Sequence, residues 1–473
     1  MRQTEEVDSV LLRTKWAKKL IYLLPVMLLV DSLCFGCGSA ETEAMAGSVS
    51  ENEVPETASV SANDAGDEIA NIDAAGDEVG DGGGAENAEA TVSGNMQDSL
   101  DEYATVEDTR REPVKVKGIY VSGPTAGIAK MDDLIDLVDQ TELNTMVIDI
   151  KNDEGKVTYK MESEQVLEIG AGVRYIPDIE ELVAKCKEKD IYLIARIVAF
   201  RDPHLAEQKP EWAVHTKDGE IFRDKNGMAW VNPYCREVWD YLVEISTEAA
   251  RVGFDEIQFD YIRFSTDMGE GEVDYGPESE SVDKIRIITE FTEYLYEKLM
   301  PLGVYVAADV FGTVIDNETD QVIVGQDYVQ MAAHLDYICP MVYPSHYHHG
   351  SYGIKVPDAE PYRTINAASC ASIEALDTVP EENRAHVRLW LQSFTASWVS
   401  GHISYGPEQI RAQIKGAYDA GYDEWILWNA AVNYQPDAFL TDEEAEAERL
   451  RWDEERQAAL EAEEEEQKDE EAE

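Results

Sequence analysis

Between Val114 and Phe439 the chain alternates short apolar runs, rich in β-branched residues, with longer stretches whose apolar positions recur every three or four residues. The first pattern predicts buried strands and the second amphipathic helices. Strands are predicted at 117–122, 145–150, 191–198, 256–261, 304–310, 337–343, 387–394 and 424–428. Helical patterns lie between them at 132–141, 176–189, 236–252, 284–302, 328–334, 363–376 and 407–420. Leu302-Gly303-Val304 and Ala420-Gly421-Tyr422 each set a glycine after the last helical residue, just before a strand. Eight such rounds predict an α/β fold, a (β/α)8 TIM barrel over 114–440. A doubly wound sheet is the alternative, but Ser122-Gly123-Pro124-Thr125-Ala126 follows the first strand where that fold would place Gly-x-Gly-x-x-Gly.

The two ends break the pattern. A basic stretch from Arg13 to Lys19 precedes an apolar run, Leu20 to Val30, that is short for a membrane span. This is the plan of a secretory signal over 1–37, and Gly36-Cys37 resembles a bacterial lipoprotein cleavage site, with Cys37 as the acylated residue. Residues 38–113 are mostly Ala, Gly, Ser, Asp and Glu, with too little apolar surface to offset the entropy of ordering. A flexible coil of about 75 residues spans roughly 50 Å, so a disordered acidic tether is expected. Residues 441–473 are rich in Glu, and Trp452 and Leu460 do not define a face, so a solvated acidic helix fraying into disorder is predicted.

Composition sharpens this outline in two ways. The net charge of −58 over 473 residues lies a little more than half in the two flanks, and it argues against a nucleic-acid partner. Outside the signal only Cys186, Cys235, Cys339 and Cys370 remain, without ligand spacing, and they are expected as free thiols.

In a barrel the residues just past each strand share one rim. That rim would collect Ser122 and Thr125, then Asp149, Lys151 and Asp153, then Arg196, Arg201 and Asp202 from the first three strands. The later strands add Asp260, Arg263, Asp309, Tyr343, His346, Gln392, Trp428 and Asn429. Asp260 is singled out because Gly253-Phe254-Asp255-Glu256-Ile257-Gln258-Phe259-Asp260 reads as a buried strand ending on a carboxylate, which is costly without a partner or a task. Cleaving a glycosidic bond takes two carboxyl groups, one protonated and one ionised, and Asp260 and Asp309 fall on adjacent strands. Asp149 is a third carboxylate. Arg196, Arg263, Tyr343, His346, Gln392, Trp428, Asn429 and Lys151 are candidates for holding substrate. A Schiff base at Lys151 is disfavoured by Asp149, Asp153 and Glu154 around it. His346-Tyr347-His348-His349 lacks the spacing of a metal site, so neither metal nor cofactor is expected.

Several stretches together resemble a known family. They are Lys117-Gly118-Ile119-Tyr120, Val147-Ile148-Asp149-Ile150-Lys151, Ala195-Arg196-Ile197-Val198 and Trp230-Val231-Asn232-Pro233, with the Asp260 strand. Ala308-Asp309-Val310-Phe311-Gly312 and Pro340-Met341-Val342-Tyr343-Pro344-Ser345-His346 complete the set. From Val116 to about Tyr434 the chain resembles the glycoside-hydrolase-like domain of bacterial exported proteins, first described as a domain of unknown function. The resemblance implies a TIM barrel with the strand-4 aspartate, Asp260, as nucleophile. Amylase-type barrels place an arginine two residues before that aspartate and a glutamate on strand 5; here those positions are Gln258 and Asp309.

The expectation is therefore a glycoside hydrolase on the outer face of the cell membrane or secreted, acting on an extracellular or cell-envelope polysaccharide. The alternatives are a barrel that binds carbohydrate without cleaving it and a structural envelope protein.

Overall fold

A computed structural model describes residues 110–472 apart from 270, 381 and 382. The signal, Cys37 and the tether up to residue 109 lie outside the described residues.

The eight predicted strands form one closed parallel sheet. They are β1 (Lys117–Val121), β2 (Thr145–Lys151), β3 (Tyr192–Val198), β4 (Glu256–Asp260), β5 (Tyr305–Phe311), β6 (Tyr337–Met341), β7 (Leu389–Gln392) and β8 (Trp425–Trp428). Each pairs with the next, β8 pairs with β1 through Lys117↔Trp425, and Trp390↔Met341 joins β7 to β6. The fold is a (β/α)8 TIM barrel, as the alternation predicts. The strands are buried on both faces, which is why they read as apolar runs rather than as an alternating pattern.

Helices follow the strands: α1 (Lys130–Asp139), α2 (Ile179–Glu188), α3 (Arg236–Val252), α4 (Lys284–Leu299), α5 (Tyr328–Ala332), α6 (Pro361–Leu376), α7 (Pro407–Ala420) and α8 (Asp442–Ala472). Gly253 ends α3 in the left-handed region at φ 110°, its N–H returning to the carbonyls of Ala249 and Ala250, and so turns the chain directly into β4.

Two boundaries differ from expectation. The chain is engaged with the barrel before residue 114, because Arg110 pairs with Asp336 at 2.6 Å and stacks on Tyr305. At the other end, the first half of α8 is not a free solvated helix but docks on α7. Trp452 meets the edge of Tyr418 at 6.0 Å and lies under the cations of Arg411 and Lys415, while Glu448 pairs with Arg411. One tryptophan with cations on its face and a bridge beside it replaces the apolar stripe that the sequence lacks. The described cysteines Cys186, Cys235, Cys339 and Cys370 are free thiols.

Candidate active site

Parallel pairing in register decides which side chains meet inside the barrel. Asp149 of β2 stands opposite Arg196 of β3, and Arg196 opposite Gln258 of β4. Asp260, two residues beyond Gln258, shares its face. The buried Arg196 guanidinium reaches both ways: its Nη1 donates to Asp149 Oδ1 at 2.7 Å, while Nη2 and Nε donate to Asp260 Oδ2 at 2.5 and 3.1 Å. Asp153 adds a third carboxylate at 3.4 Å from Nη1. Tyr120 and Trp428 pack under the guanidinium at 5.8 and 5.3 Å, with 4.2 Å between their own rings. Tyr120 Oη also donates to Asp149 Oδ2 at 2.5 Å.

Burial pushes the Asp149 carboxyl up to about 6, against the pull of Arg196. The other oxygen of Asp260, Oδ1, accepts the backbone N–H of Tyr261 at 2.6 Å. Tyr261 holds φ 54°, a left-handed conformation that costs a bulky side chain about 1–3 kcal/mol. Strain directly after the rim carboxylate fixes its direction.

Asp309 sits on β5 in a different environment. Its Oδ1 accepts N–H bonds from Trp390 Nε1 at 2.6 Å and Gln258 Nε2 at 2.5 Å, and it makes no ion pair among the described residues. Burial first, and then the neighbouring Asp260, hold its carboxyl well above the usual carboxylate range. The paired residues Phe259↔Ala308 immediately precede Asp260 and Asp309, so these two stand side by side on adjacent strands, which lie about 4.8 Å apart. One carboxyl is tied to a guanidinium; the other has only neutral donors. A carboxyl that burial keeps protonated, beside one tied to a guanidinium, is the equipment of a general acid beside a nucleophile or base.

Residues 118–434 match the family described as "Putative glycosyl hydrolase domain". The chain belongs to this family. No curated protein matches it. Among solved structures, a hypothetical protein from Ruminiclostridium thermocellum ATCC 27405 is 38% identical, with a TM-score of 0.38, over 41% of this chain and 97% of that one. The PgaB (BpsB) glycoside hydrolase domain from Bordetella bronchiseptica is 13% identical, with a TM-score of 0.49, over 68% and 95%. The α-galactosidase TtGalA from Thermus thermophilus, in complex with p-nitrophenyl α-D-galactopyranoside, is 14% identical, with a TM-score of 0.43, over 73% and 63%.

Within this glycosyl hydrolase domain the predicted site residues divide. Asp149, Arg196, Asp260 and Trp428 meet directly. Tyr343 is close enough to Asp309 and Asp260 that, after burial, their charges raise its phenol further. His346 lies at the outer edge, its ring 5.2 Å from Tyr343. Asp309 stands beside Asp260, and the other four serve the frame. Lys151 was expected at the rim, but a bulge after Asp149 sets it opposite Ile197 rather than Val198, and a shift of one residue turns a side chain to the other face. It is fully buried with Asp202 at 2.8 Å and the Val198 carbonyl at 2.6 Å. Gln392 is buried too, its amide shared between Asp358, Phe394 O and the N–H of Ser345. Asn429 is spent on the carbonyls of Ser393 and Asn433. Arg263 is buried against Phe311, Tyr261 and Trp230, its Nη1 on the Phe264 carbonyl.

Two groups that shape the site, Tyr120 and Gln258, were not among the predicted site residues. The signal for Gln258 and Tyr120 was the two-residue period, which puts each on the inward face of its strand.

Proposed function

We propose that this protein hydrolyses glycosidic bonds of an extracellular or cell-envelope polysaccharide. Asp309 is the acid and Asp260 the nucleophile or base. Protonated Asp309 gives its proton to the glycosidic oxygen as the C–O bond breaks. Asp260 meets the developing positive charge at the anomeric carbon from the opposite side, directly or through a water. Arg196 orients Asp260, and Asp149 with Tyr120 orients Arg196. The observation that carries this reading is the unequal pair itself: Asp260 on a guanidinium, Asp309 on two neutral N–H donors with Oδ2 left to hold the proton.

The proposal extends to location. The basic and apolar start of the chain, Gly36-Cys37 and the acidic tether support export and a lipid anchor at Cys37. Digestion of a panel of polysaccharides by the wild type and by Asp260→Asn, with products sized by chromatography, tests the chemistry. Release of oligosaccharides by the wild type alone is expected. Equal release by both proteins overturns the assignment, and binding without release points to a carbohydrate-binding barrel instead.

A further inference from the structure

The loops after β7 and β8 line a cleft of about 280 Å³. Its walls include Phe394, Thr395, Tyr405, Asn433 and Gln435, and none of its lining side chains carries a charge. In a chain of net charge −58, an uncharged cleft is selective in itself. It offers little to a phosphate, a carboxylate or a cation. Amides, hydroxyls and an aromatic wall suit a polyol ring, whose C–H face packs on the aromatic group while its hydroxyls bond the amides.

The cleft is built in advance. Asn429 ties its two loops together, donating to Ser393 O at 2.5 Å and accepting the N–H groups of Ala431 and Asn433 at 3.0 and 3.4 Å. Between those two, buried Val432 holds φ 50°, a conformation costly for a β-branched residue. Thr395 Oγ1 accepts the N–H of Tyr405 at 3.0 Å and so fixes the opposite wall. The side-chain amides of Asn433 and Gln435 are exposed and make no hydrogen bond among the described residues.

One buried ring, Tyr343, links the wall of the cleft to the catalytic rim. Phe394 lies edge-on to Tyr343 at 5.9 Å, and Tyr343 borders Asp309 and Asp260 electrostatically. On the outer side Trp398, 45% exposed, stacks on Phe394 at 6.0 Å and 18°.

We infer that this cleft, with Trp398 beyond it, is a second subsite that takes an uncharged pyranose unit of a chain whose scissile bond lies over Asp260 and Asp309. The inference rests on the hydrolase reading and narrows the substrate to polymers of uncharged sugars several units long.

The test combines Trp398→Ala with an Asn433→Ala/Gln435→Ala double variant, assayed on oligosaccharides of increasing length and on an aryl monoglycoside of the sugar found in the digestion screen. KM is expected to rise about tenfold on the long chains, equivalent to ~1.4 kcal/mol, with little change on the monoglycoside. An equal effect on both lengths, or none on either, overturns the subsite. Affinity electrophoresis of the same variants in the Asp260→Asn background, in gels holding galactomannan, xyloglucan or soluble β-glucan, with alginate as the anionic comparison, reads the cleft without turnover. Retardation by a neutral polymer that the variants lose supports the subsite even if no glycan is cleaved. Stronger retardation by alginate, or retardation that the variants keep, overturns it.

Discussion

Two of the arginines that the barrel buries among carboxylates lie near opposite ends, and their clusters behave differently. At the floor, Arg388 Nη1 meets Glu256 at 2.7 Å and its Nε meets Glu424 at 3.1 Å. Tyr337 stacks on the guanidinium at 3.9 Å, and Tyr192 Oη donates to Glu256 at 3.1 Å. Arg388 and Glu256 are both sealed from solvent. At the rim, Arg196 faces Asp149, Asp153 and Asp260, and Asp309 stands next to them with no cation of its own. The ingredients are the same, but the floor is sealed and nearly balanced whereas the rim leaves Asp153 and, slightly, Asp260 exposed and carries surplus negative charge. A buried ion pair is thus no sign of function by itself; what separates the rim is an unanswered carboxyl beside a strained, oriented one. Barrel enzymes keep chemistry at the C-terminal face and stability at the other, and here the two clusters sit at those two ends, built from the same residue types.

Four substitutions can break or sharpen this contrast. The largest effect is expected from Asp260→Asn, a fall in kcat of about ten-thousandfold with an unfolding midpoint close to wild type, because Arg196 keeps Asp149 and Asp153. If thermal unfolding shows a collapse in stability instead, the rim is another structural cluster. Glu256→Gln should do the reverse. Removing one partner of the sealed floor pair costs on the order of 3 kcal/mol in chemical denaturation, while the folded fraction keeps its kcat.

Asp309→Asn is expected to lower kcat by about a hundredfold to a thousandfold and to raise stability in a pH-dependent way. Because the folded-state pKa of Asp309 lies above its unfolded value, its contribution to stability is present at acid pH and is lost as pH rises through the raised value. The asparagine never ionises, so its gain over wild type should vanish in acid and grow toward alkaline pH. A melting-temperature difference that is flat with pH would contradict a protonated Asp309. In the same range the wild-type kcat/KM should fall as the acid loses its proton.

The smallest effect belongs to Tyr120→Phe. Its hydroxyl stabilises the ionised form of Asp149, so the Asp149 titration, followed by NMR, should move further above about 6, with a loss of activity of only a few-fold. An unmoved titration would mean that Arg196 alone orients Asp149.

Much of the frame was legible in the chain. The apolar runs at 145–150 and 256–261 differ from β2 and β4 by a single residue at one end, and α3 and α7 match their predicted spans. Asp149, Asp260 and Asp309 could be found because a carboxylate in or closing an apolar strand is visible without coordinates. Lys151 and Gln392 could not be sorted from them. Both are polar residues at strand ends, and only a bulge in one case and a loop's backbone groups in the other turned them inward. The docking of α8 escaped for a related reason, since Trp452 and its flanking cations make a contact rather than a periodic face.

By itself the sequence determined the eight β/α repeats, the identity of the rim carboxylates and the acidic flanks, because strand and helix periods and local composition are properties of neighbouring residues. Tertiary structure decided which carboxylate meets a cation. Arg196 comes from β3 and lies across from Gln258, so Asp260 gains a guanidinium that its own strand does not carry. Asp309 receives only Trp390 and Gln258. Charge interactions and desolvation depend on distances of a few ångströms between residues far apart in sequence, and those distances exist only once the barrel has closed.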